Sequence, residues 1–452
     1  MNLKEFSKKI GVNPSTISRA LNNYPDISLK TQQTIINLAK KYNYSANIAA
    51  SIIGSIKIKS NQRILIADKI SEEALKIFKK KKIAIDQKYN LNEDQLAIII
   101  KNYDGIIIRS STKVTKKIII SSKKLKIIAR AGVGLDNVNV KSATAKGIVV
   151  MNSPQSSSRT TAEHTISLLF SLARKIPFAH LSLMSKNWNK DQFKGLEIKN
   201  KIIGVIGCGN IGSHVVMIAK ALGLNVLVYD PFLSSDKIED IEAEKVSLDE
   251  LLKISDFVSL HLPLMESTKN IIDAKKLKIM KQSSYIINTA RGGLINEKDL
   301  FRVLVDKSIA GAALDVFENE PLKNSPFFEL DNIILTPHLG ASTREAQDNA
   351  AIQIAEQMSA FFNNGSIINS INMTSISGQE KKSLEPYLDL CNKLGSFAGQ
   401  LTETAVKAIT IELEGTAAML NKDLLTRSLV NNFLGSFIDN INSINAIDVA
   451  KD

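Results

Sequence analysis

Short apolar runs recur along most of this chain, each ending in small or polar residues and each followed by an amphipathic stretch. RILIAD (63–68), YDGIIIRS (103–110), LKIIARAG (125–132) and GIVVMN (147–152) make a first series. KIIGVIG (201–207), NVLVYD (225–230), FVSLHLP (257–263), SYIINTA (284–290), IAGAALDVF (309–317) and NIILTPH (332–338) make a second. Unbroken apolar strands alternating with helices belong to parallel sheets covered on both faces, so the pattern predicts two doubly wound α/β units. A helical stretch from about Ser157 to Lys186 separates the two series, and Pro177 should bend or break it. Ser342 to Asn363 reads as a helix that could return the chain to the first unit. Beyond about Ser370 the pattern loosens, and KAITIELEG (407–415) is the one convincing strand, with helical patterns on either side.

The first sixty residues differ in texture and predict three short helices. Asn2 followed by Glu5 forms a variant capping box, and Asn13-Pro14 sets a capping side chain before a proline whose missing N–H costs nothing at a helix start. Gly11 breaks the chain between those two helices. A third begins after Ser28, with Leu29, Ile35, Ile36, Leu38, Ala39 and Tyr42 on its apolar side, and SIIGSIKIKSNQ (51–62) reads as a linker.

Composition narrows the class. At 452 residues, 44% hydrophobic and 23% charged, the chain has room for about three globular domains. No apolar run reaches the roughly 18 residues of a membrane helix, and no signal-peptide core opens the sequence. Cys208 and Cys391 are too few for a disulfide framework or a four-thiolate zinc site, so no metal is expected and a reducing cytosol is the plain reading. The net charge of +13 is unevenly placed: residues 1–60 hold nine basic side chains against Glu5 and Asp26. Attraction to phosphates would explain that concentration, as would a lysine-rich solvated surface.

GVIGCGNIGSHV places Gly207, Gly209 and Gly212 between an expected strand and an expected helix. The first glycine permits a tight turn, the second lets backbone approach a pyrophosphate, and the third allows close packing of helix on strand. Asp230 ends the next strand, where a carboxylate accepts hydrogen bonds from ribose hydroxyls and repels a 2′-phosphate. The expected cofactor is therefore NAD.

NTARGGLINEKDL (288–300), ALDVFENEP (313–321) and TPHLGAST (336–343) each sit at the carboxyl end of an expected strand, where ligands collect in such sheets. They supply Arg291, Glu320 and His338. Oxidising a 2-hydroxy acid needs a base for the hydroxyl proton and a cation for the carboxylate. Histidine suits the first, a neighbouring carboxylate poises it, and the arginine fork suits the second. Taken singly, Arg291 could cap a strand end, Glu320 could be a turn residue before Pro321, and His338 could lie in a satisfied polar loop.

Together with IIIRSSTKVT and RAGVGLDNVN, these segments stand in the order of the D-2-hydroxyacid dehydrogenase family, which the chain resembles from about residue 62 onward, most closely in the members that act on 3-phosphoglycerate. The resemblance implies a flavodoxin-like substrate domain over 62–155 and 340–372 and a Rossmann NAD domain over 156–339. It implies that Arg291 orients substrate, His338 is the acid/base and Glu320 its partner. Asp315 would face the nicotinamide end of the cofactor beside Thr289 and Ala290, while Asn210 and Ile211 would lie over the pyrophosphate. Arg109, Ser110 and Asn152 match positions that hold the substrate's carboxylate and phosphate, in a cleft between the two α/β units. Lys190 matches a basic position that can reach the phosphate, possible also from a neighbouring subunit of a homodimer or higher homo-oligomer. His164, His180, His214 and His261 match no catalytic role and are read as structural.

Two departures from the family follow. Residues 375–452 resemble the start of the intervening domain of the longer phosphoglycerate-specific members, a partial α+β domain. No regulatory ACT domain is expected after it, and a half domain is expected to leave apolar surface uncovered. At the other end, NPSTISRALNN and YSANIAASII resemble the helix-turn-helix and hinge helix of the lac-repressor family. Residues 1–58 would then form a small all-α domain for double-stranded DNA, with Ser15, Thr16 and Arg19 in the major groove, Asn47 in the hinge and Ile53 as a minor-groove wedge. Three functions are therefore open: NAD-dependent oxidation of 3-phosphoglycerate to 3-phosphohydroxypyruvate, the entry step of serine synthesis; turnover of another acid such as glyoxylate, hydroxypyruvate or D-lactate; or a DNA-binding regulator that senses NAD(H) or a metabolite. The complete set of catalytic residues favours the first.

Overall fold

Ile64, Leu65 and Ile66 are fully buried although they are consecutive, because their strand is covered on both faces. In the computed structural model, which describes residues 3–13, 16, 17, 20, 28–41, 62–403, 406–438 and 441–451, that strand is one of five in a parallel sheet. β1 (Arg63–Ile66), β2 (Ala84–Gln87), β3 (Gly105–Ile108), β4 (Ile127–Arg130) and β5 (Val149–Met151) run in the order β2-β1-β3-β4-β5. This is the flavodoxin-like order. Side chains alternate between two cores: Ile64, Ile66, Ile107 and Val149 face one, and Leu65, Ile106, Ile108 and Val150 the other. The edge strand β2 escapes the apolar pattern because its four residues, AIDQ, are all at least partly exposed.

The second sheet has seven strands. β6 (Ile202–Ile206), β7 (Asn225–Tyr229), β8 (Glu244–Lys245), β9 (Phe257–Leu260), β10 (Tyr285–Asn288), β11 (Gly311–Leu314) and β12 (Ile333–Leu335) run in the order β12-β11-β10-β9-β6-β7-β8. Every pairing is parallel, and the order reverses at the β6–β9 neighbours, the Rossmann switch point. The two-residue β8, exposed throughout, has no apolar run to announce it. The helical stretch before this sheet breaks into Ser158–Arg174 and Ile176–Met184, bent by 61°. Lys175 takes the left-handed φ of 55° at the break, and Pro177 sits in the first turn of the second helix. No single helix among the described residues is long and apolar enough to cross a membrane.

The chain divides into two compact units, residues 1–153 with 350–452, and residues 154–349. The helix Arg344–Asn364 carries the chain from the second back into the first. There Leu384, Leu388, Cys391, Leu424, Leu425 and Ile444, from the C-terminal segment, share a buried core with Ile64, Ile66 and Ile107. The expected exposure of apolar surface is thus only partly met, because this segment covers one face of the sheet. What it leaves exposed is a stripe on the helix Gly378–Leu401, formed by Leu390, Leu394, Phe397 and Leu401. The same helix packs tightly on Lys422–Leu434, since a Cβ at Gly395 or Gly399 would collide with that neighbour or the turn after it.

The strand expected over 407–415 does not form. Its alternation is real: Ile409, Ile411 and Leu413 are half-buried while Thr410, Glu412 and Glu414 are exposed. Among the described residues it pairs with no strand, and a strand needs a ladder partner as well as an alternating face.

At the N-terminus, helices Leu3–Ile10 and Leu29–Lys41 are described, with Gly11 at φ 67° after the first. Ser28 Oγ accepts the Thr31 N–H at 3.2 Å, capping the later helix. Ile17, Ala20, Ile35 and Ala39 form a small buried cluster. The capping residue Asn2, the helix-start Pro14, and the DNA-facing candidates Ser15, Arg19, Asn47 and Ile53 lie outside the described residues.

The shared core makes a direct test possible. Leu384→Ala removes a fully buried side chain and should destabilise the protein by about 2–5 kcal/mol. Leu390→Ala, on the exposed stripe of the same helix, should change stability by no more than about 0.5 kcal/mol. Urea unfolding of both variants checks the difference, and equal losses would mean that the C-terminal helices do not cover the sheet.

Candidate active site

The turn after β6 is shaped by what glycine lacks. Gly207 takes φ 90°, and a Cβ there would lie 2.8 Å from the His261 carbonyl oxygen. A Cβ at Gly212 would collide with the Gly207 carbonyl oxygen, so the helix Asn210–Ala221 can approach the strand only without it. Gly209 differs: nothing lies within 4 Å of a Cβ added there, and the backbone borders open space. Asn210 is exposed and Ile211 half-buried in the first helical turn, whose N–H groups have no helical acceptors.

Asp230, at the end of β7, is 8% exposed and holds this turn. Its Oδ2 accepts from Cys208 N at 2.9 Å, and its Oδ1 from Phe232 N at 2.9 Å and Leu233 N at 3.2 Å. A carboxylate has about four acceptor positions, so capacity remains for one further donor. Burial and the Asp230 charge push the Cys208 thiol up to about 11, which keeps it protonated. Burial pushes His261 down to about 3, and its Nε2 pairs with Ser259 Oγ at 2.7 Å. His261 is neutral at physiological pH.

His338 and Glu320 are brought together: Nδ1 of the first lies 2.7 Å from Oε2 of the second. A carboxylate only accepts, so Nδ1 carries the proton, and in the neutral ring Nε2 is the acceptor. Among the described residues no hydrogen bond engages that Nε2. Glu320 is itself fixed, with Oε1 accepting from Phe317 N at 3.1 Å. His338 stands at φ 55°, a left-handed conformation that costs of order 1–3 kcal/mol for a residue with a side chain. Arg291 follows the buried pair Thr289 and Ala290, and its Nη1 donates to Ala290 O at 2.7 Å. Asn288 clasps the same turn, donating to Arg291 O and accepting from Ala290 N.

Asp315, expected at the nicotinamide end of the cofactor, has no exposed surface. Its Oδ1 accepts from Thr336 Oγ1 at 2.6 Å and Leu339 N at 2.7 Å, and its Oδ2 from Gly340 N at 2.8 Å. His164 Nε2 lies 3.3 Å from Oδ1. Burial pushes this carboxyl up, yet the bonds from His164, Thr336, Leu339 and Gly340 hold it below the usual carboxylate value. Glu297 plays a comparable part, accepting from Glu318 N at 2.6 Å, and burial pushes it up. Neither bracing role is visible in the sequence: His164 lies in a helix remote from the motifs it supports, and Glu297, though inside the 288–300 segment, carries no mark of its contact with Glu318.

In the other unit, Arg109 follows β3. Its N–H donates to Asp68 Oδ2 at 2.6 Å, and its Nη1 to Lys69 O at 3.2 Å. Asp68 also binds Thr112 through both N and Oγ1, and Asn137 Nδ2 donates to Arg109 O and Thr112 O. Ser110 is exposed beside Arg109. Asn152 is buried at 5% exposure, its Nδ2 donating to Val133 O at 2.6 Å while its Oδ1 has no partner. Asp68 and Asn137 were missed by sequence reasoning, although a carboxylate at the end of β1 is a signal of the kind that singled out Asp230. Lys190, in the unit with His338, is exposed just before a short 3₁₀ turn.

Comparison with known proteins follows the same division. Residues 166–340 match the NAD-binding domain of D-isomer specific 2-hydroxyacid dehydrogenases, and residues 383–452 match the D-3-phosphoglycerate dehydrogenase intervening domain. A D-3-phosphoglycerate dehydrogenase of Synechocystis is 41% identical over 392 residues, 86% of this chain and 71% of the relative. That of Methanocaldococcus jannaschii is 40% identical, covering 86% and 74%. Among solved structures, a glyoxylate reductase from Paecilomyes thermophila aligns with a TM-score of 0.64 and 27% identity, over 69% of this chain and 98% of its own. The D-lactate dehydrogenase of Aquifex aeolicus, complexed with NAD and lactic acid, aligns at 0.61 and 26%, over 70% and 100%.

The glycine turn separates packing from binding. Gly209→Ala should leave the thermal midpoint almost unchanged, within about 1 kcal/mol, yet weaken NADH binding at least about tenfold. Gly212→Ala should cost about 1–3 kcal/mol of stability as the helix is forced off the strand. Thermal unfolding and NADH titration of both variants check this, and equal destabilisation would refute the distinction.

Proposed function

The chain belongs to the D-3-phosphoglycerate dehydrogenase family, and from that premise we propose that it is an NAD-dependent enzyme oxidising 3-phosphoglycerate to 3-phosphohydroxypyruvate. The observation that carries the chemistry is the 2.7 Å bond between His338 Nδ1 and Glu320 Oε2. It holds the imidazole in the tautomer whose Nε2 can take the proton of the C2 hydroxyl. As that proton arrives the ring becomes cationic, and the Glu320 carboxylate stabilises it where it stands. Arg291 orients the substrate carboxylate and polarises the C2 oxygen in the reverse direction.

The residues of the glycine turn fit the cofactor. Open space above Gly209 admits a pyrophosphate, close packing at Gly212 brings the helix N-terminus to it, and Asp230 suits ribose hydroxyls while opposing a 2′-phosphate. Asn210 and Ile211 would lie along the pyrophosphate, with Thr289, Ala290 and the braced Asp315 loop at the nicotinamide end. When bound, NAD supplies the acceptor for the hydride that leaves C2.

For the substrate we assign Arg109, Ser110, Asn152 and Lys190 to its anionic groups. The Asp68 and Lys69 bonds that hold Arg109 support this, because a cation fixed in advance loses less entropy on binding. Relatives named D-3-phosphoglycerate dehydrogenase are 40–41% identical over 86% of this chain, which supports a phosphorylated substrate. The phosphorylated acid is therefore preferred to one with an uncharged tail. A homodimer in a reducing cytosol completes the reading.

His338→Gln should lower kcat by about 10²–10⁴-fold while leaving NADH affinity intact. The initial rate of NADH formation at alkaline pH, with D-glycerate and D-lactate run alongside, measures it. Undiminished turnover would end the assignment of the base, and equal turnover of the three acids would end the assignment of substrate.

A second activity is favoured by one observation. Ile17 and Ala20 pack with Ile35 and Ala39, as the core of a helix-turn-helix unit requires, in a basic stretch whose first sixty residues hold nine Lys and Arg against two acidic side chains. We propose that residues 1–58 bind double-stranded DNA, with Thr16 beside Ser15 and Arg19 in the major groove, Asn47 in the hinge and Ile53 as wedge. Random-sequence duplexes should shift in a gel with the full chain at 50 mM salt and lose affinity steeply by 200 mM. Absence of a shift at the lower salt would refute it, and a shift altered by NADH would show that the headpiece reports cofactor state.

A further inference from the structure

We infer that His164 is a positioning residue for the His338–Glu320 pair, acting from one helix face through the buried carboxylate of Asp315. The inference rests on the assignment of His338 as the base. The helix Ser158–Arg174 places Thr161, His164 and Thr165 at i, i+3 and i+4, hence on one side. Thr161 Oγ1 donates to Gly340 O at 3.1 Å. Thr165 Oγ1 and Thr289 Oγ1 share a 2.7 Å bond. His164 Nε2 lies 3.3 Å from both Asp315 Oδ1 and Thr336 Oγ1. One polar face therefore touches the segment that leads into Arg291 and the loop that carries His338.

Asp315 makes this more than adjacency. It is wholly buried, and its other donors are Thr336, Leu339 and Gly340, which flank His338 on both sides. His338 itself sits at φ 55°, a conformation that persists only where its surroundings over-determine it. The bonds to Leu339 N and Gly340 N supply that determination, and they require an Asp315 carboxylate held in one orientation. His164 and Thr336 hold it, from the helix and from the loop respectively. Since a carboxylate only accepts, His164 must present Nε2–H to Oδ1. Its side chain is 19% exposed, so it can be changed without opening the core.

His164→Ala and His164→Gln in the full chain test the idea, because a glutamine amide nitrogen can still donate to Oδ1. The alanine variant should lose about ten- to a hundredfold in kcat, the scale of a small misplacement of a reacting group. KM for 3-phosphoglycerate and NADH affinity should stay within about twofold. Hydrogen exchange should quicken at residues 336–340 alone, and the glutamine variant should recover most of the activity and the protection. Unchanged kcat in the alanine variant would overturn the proposal, as would a glutamine variant no better than alanine. Exchange rising throughout the helix and sheet would likewise overturn it, showing loss of fold instead of loss of position. An active His338→Gln enzyme would instead sink the underlying assignment of the base, whichever way His164 behaves.

Discussion

A carboxylate with no exposed surface governs the geometry of the loop that carries His338. Leaving Asp315 buried and unpaired would cost several kcal/mol. Holding His338 at a left-handed φ costs only of order 1–3 kcal/mol. The greater penalty decides the outcome: the loop adopts the conformation that delivers Thr336 Oγ1, Leu339 N and Gly340 N to the carboxylate, and His338 accepts the strain. The same logic recurs at Asp230 and Asp68, each at the carboxyl end of a strand or just beyond it. Each spends its acceptor capacity on backbone N–H groups of the neighbouring turn. In all three places a strand-end carboxylate converts a loop into a defined surface.

Parallel sheets make this arrangement available. Every strand of such a sheet presents its carboxyl end on the same side, so residues far apart in sequence converge there without long loops. β10, β11 and β12 bring up Arg291, Asp315 and His338 in succession, and β6 and β7 bring up Gly207 and Asp230. The Glu320–His338 bond joins two of these strand ends across 18 residues of chain. The proposed chemistry and cofactor site therefore depend on the strand order as much as on the residues themselves.

This explains which features were legible in the sequence. Strands buried on both faces show as apolar runs, so ten of the twelve were visible; the exposed β2 and the two-residue β8 had no such signature. The glycine turn was legible because steric exclusion at Gly207 and Gly212 permits no other residue. Arg291, Glu320 and His338 stood out as candidate chemistry at strand ends, in segments resembling a family, and the structure joins two of them in one hydrogen bond. His164 was not, because its meaning comes from Asp315, 151 positions later, and a single histidine on a helix carries no local signal. The alternation at 409–413 misled for the converse reason: periodicity reports which side chains turn inward, and a ladder also needs a neighbouring edge. The covering of the first sheet by Leu384, Leu388 and Leu424 is a tertiary fact that periodicity cannot express.

Choice among 2-hydroxy acids cannot come from the proposed proton machinery, since under that assignment every such substrate presents the same hydroxyl and carboxylate to His338 and Arg291. It must come from cations that an uncharged tail would leave unused. In the proposed assignment two are available, and they are not equivalent. Arg109 has its backbone fixed to Asp68 and one guanidinium nitrogen fixed to Lys69 O. Much of its ordering cost is met before substrate arrives. Lys190 is exposed, and immobilising a free lysine costs up to about 2 kcal/mol. A charge-assisted hydrogen bond is worth about 1.5–3 kcal/mol, so that entropy can cancel most of what Lys190 offers while leaving the contribution of Arg109 largely intact. Discrimination for the phosphorylated acid should therefore reside mainly in Arg109, the residue whose place is set by a buried strand-end carboxylate.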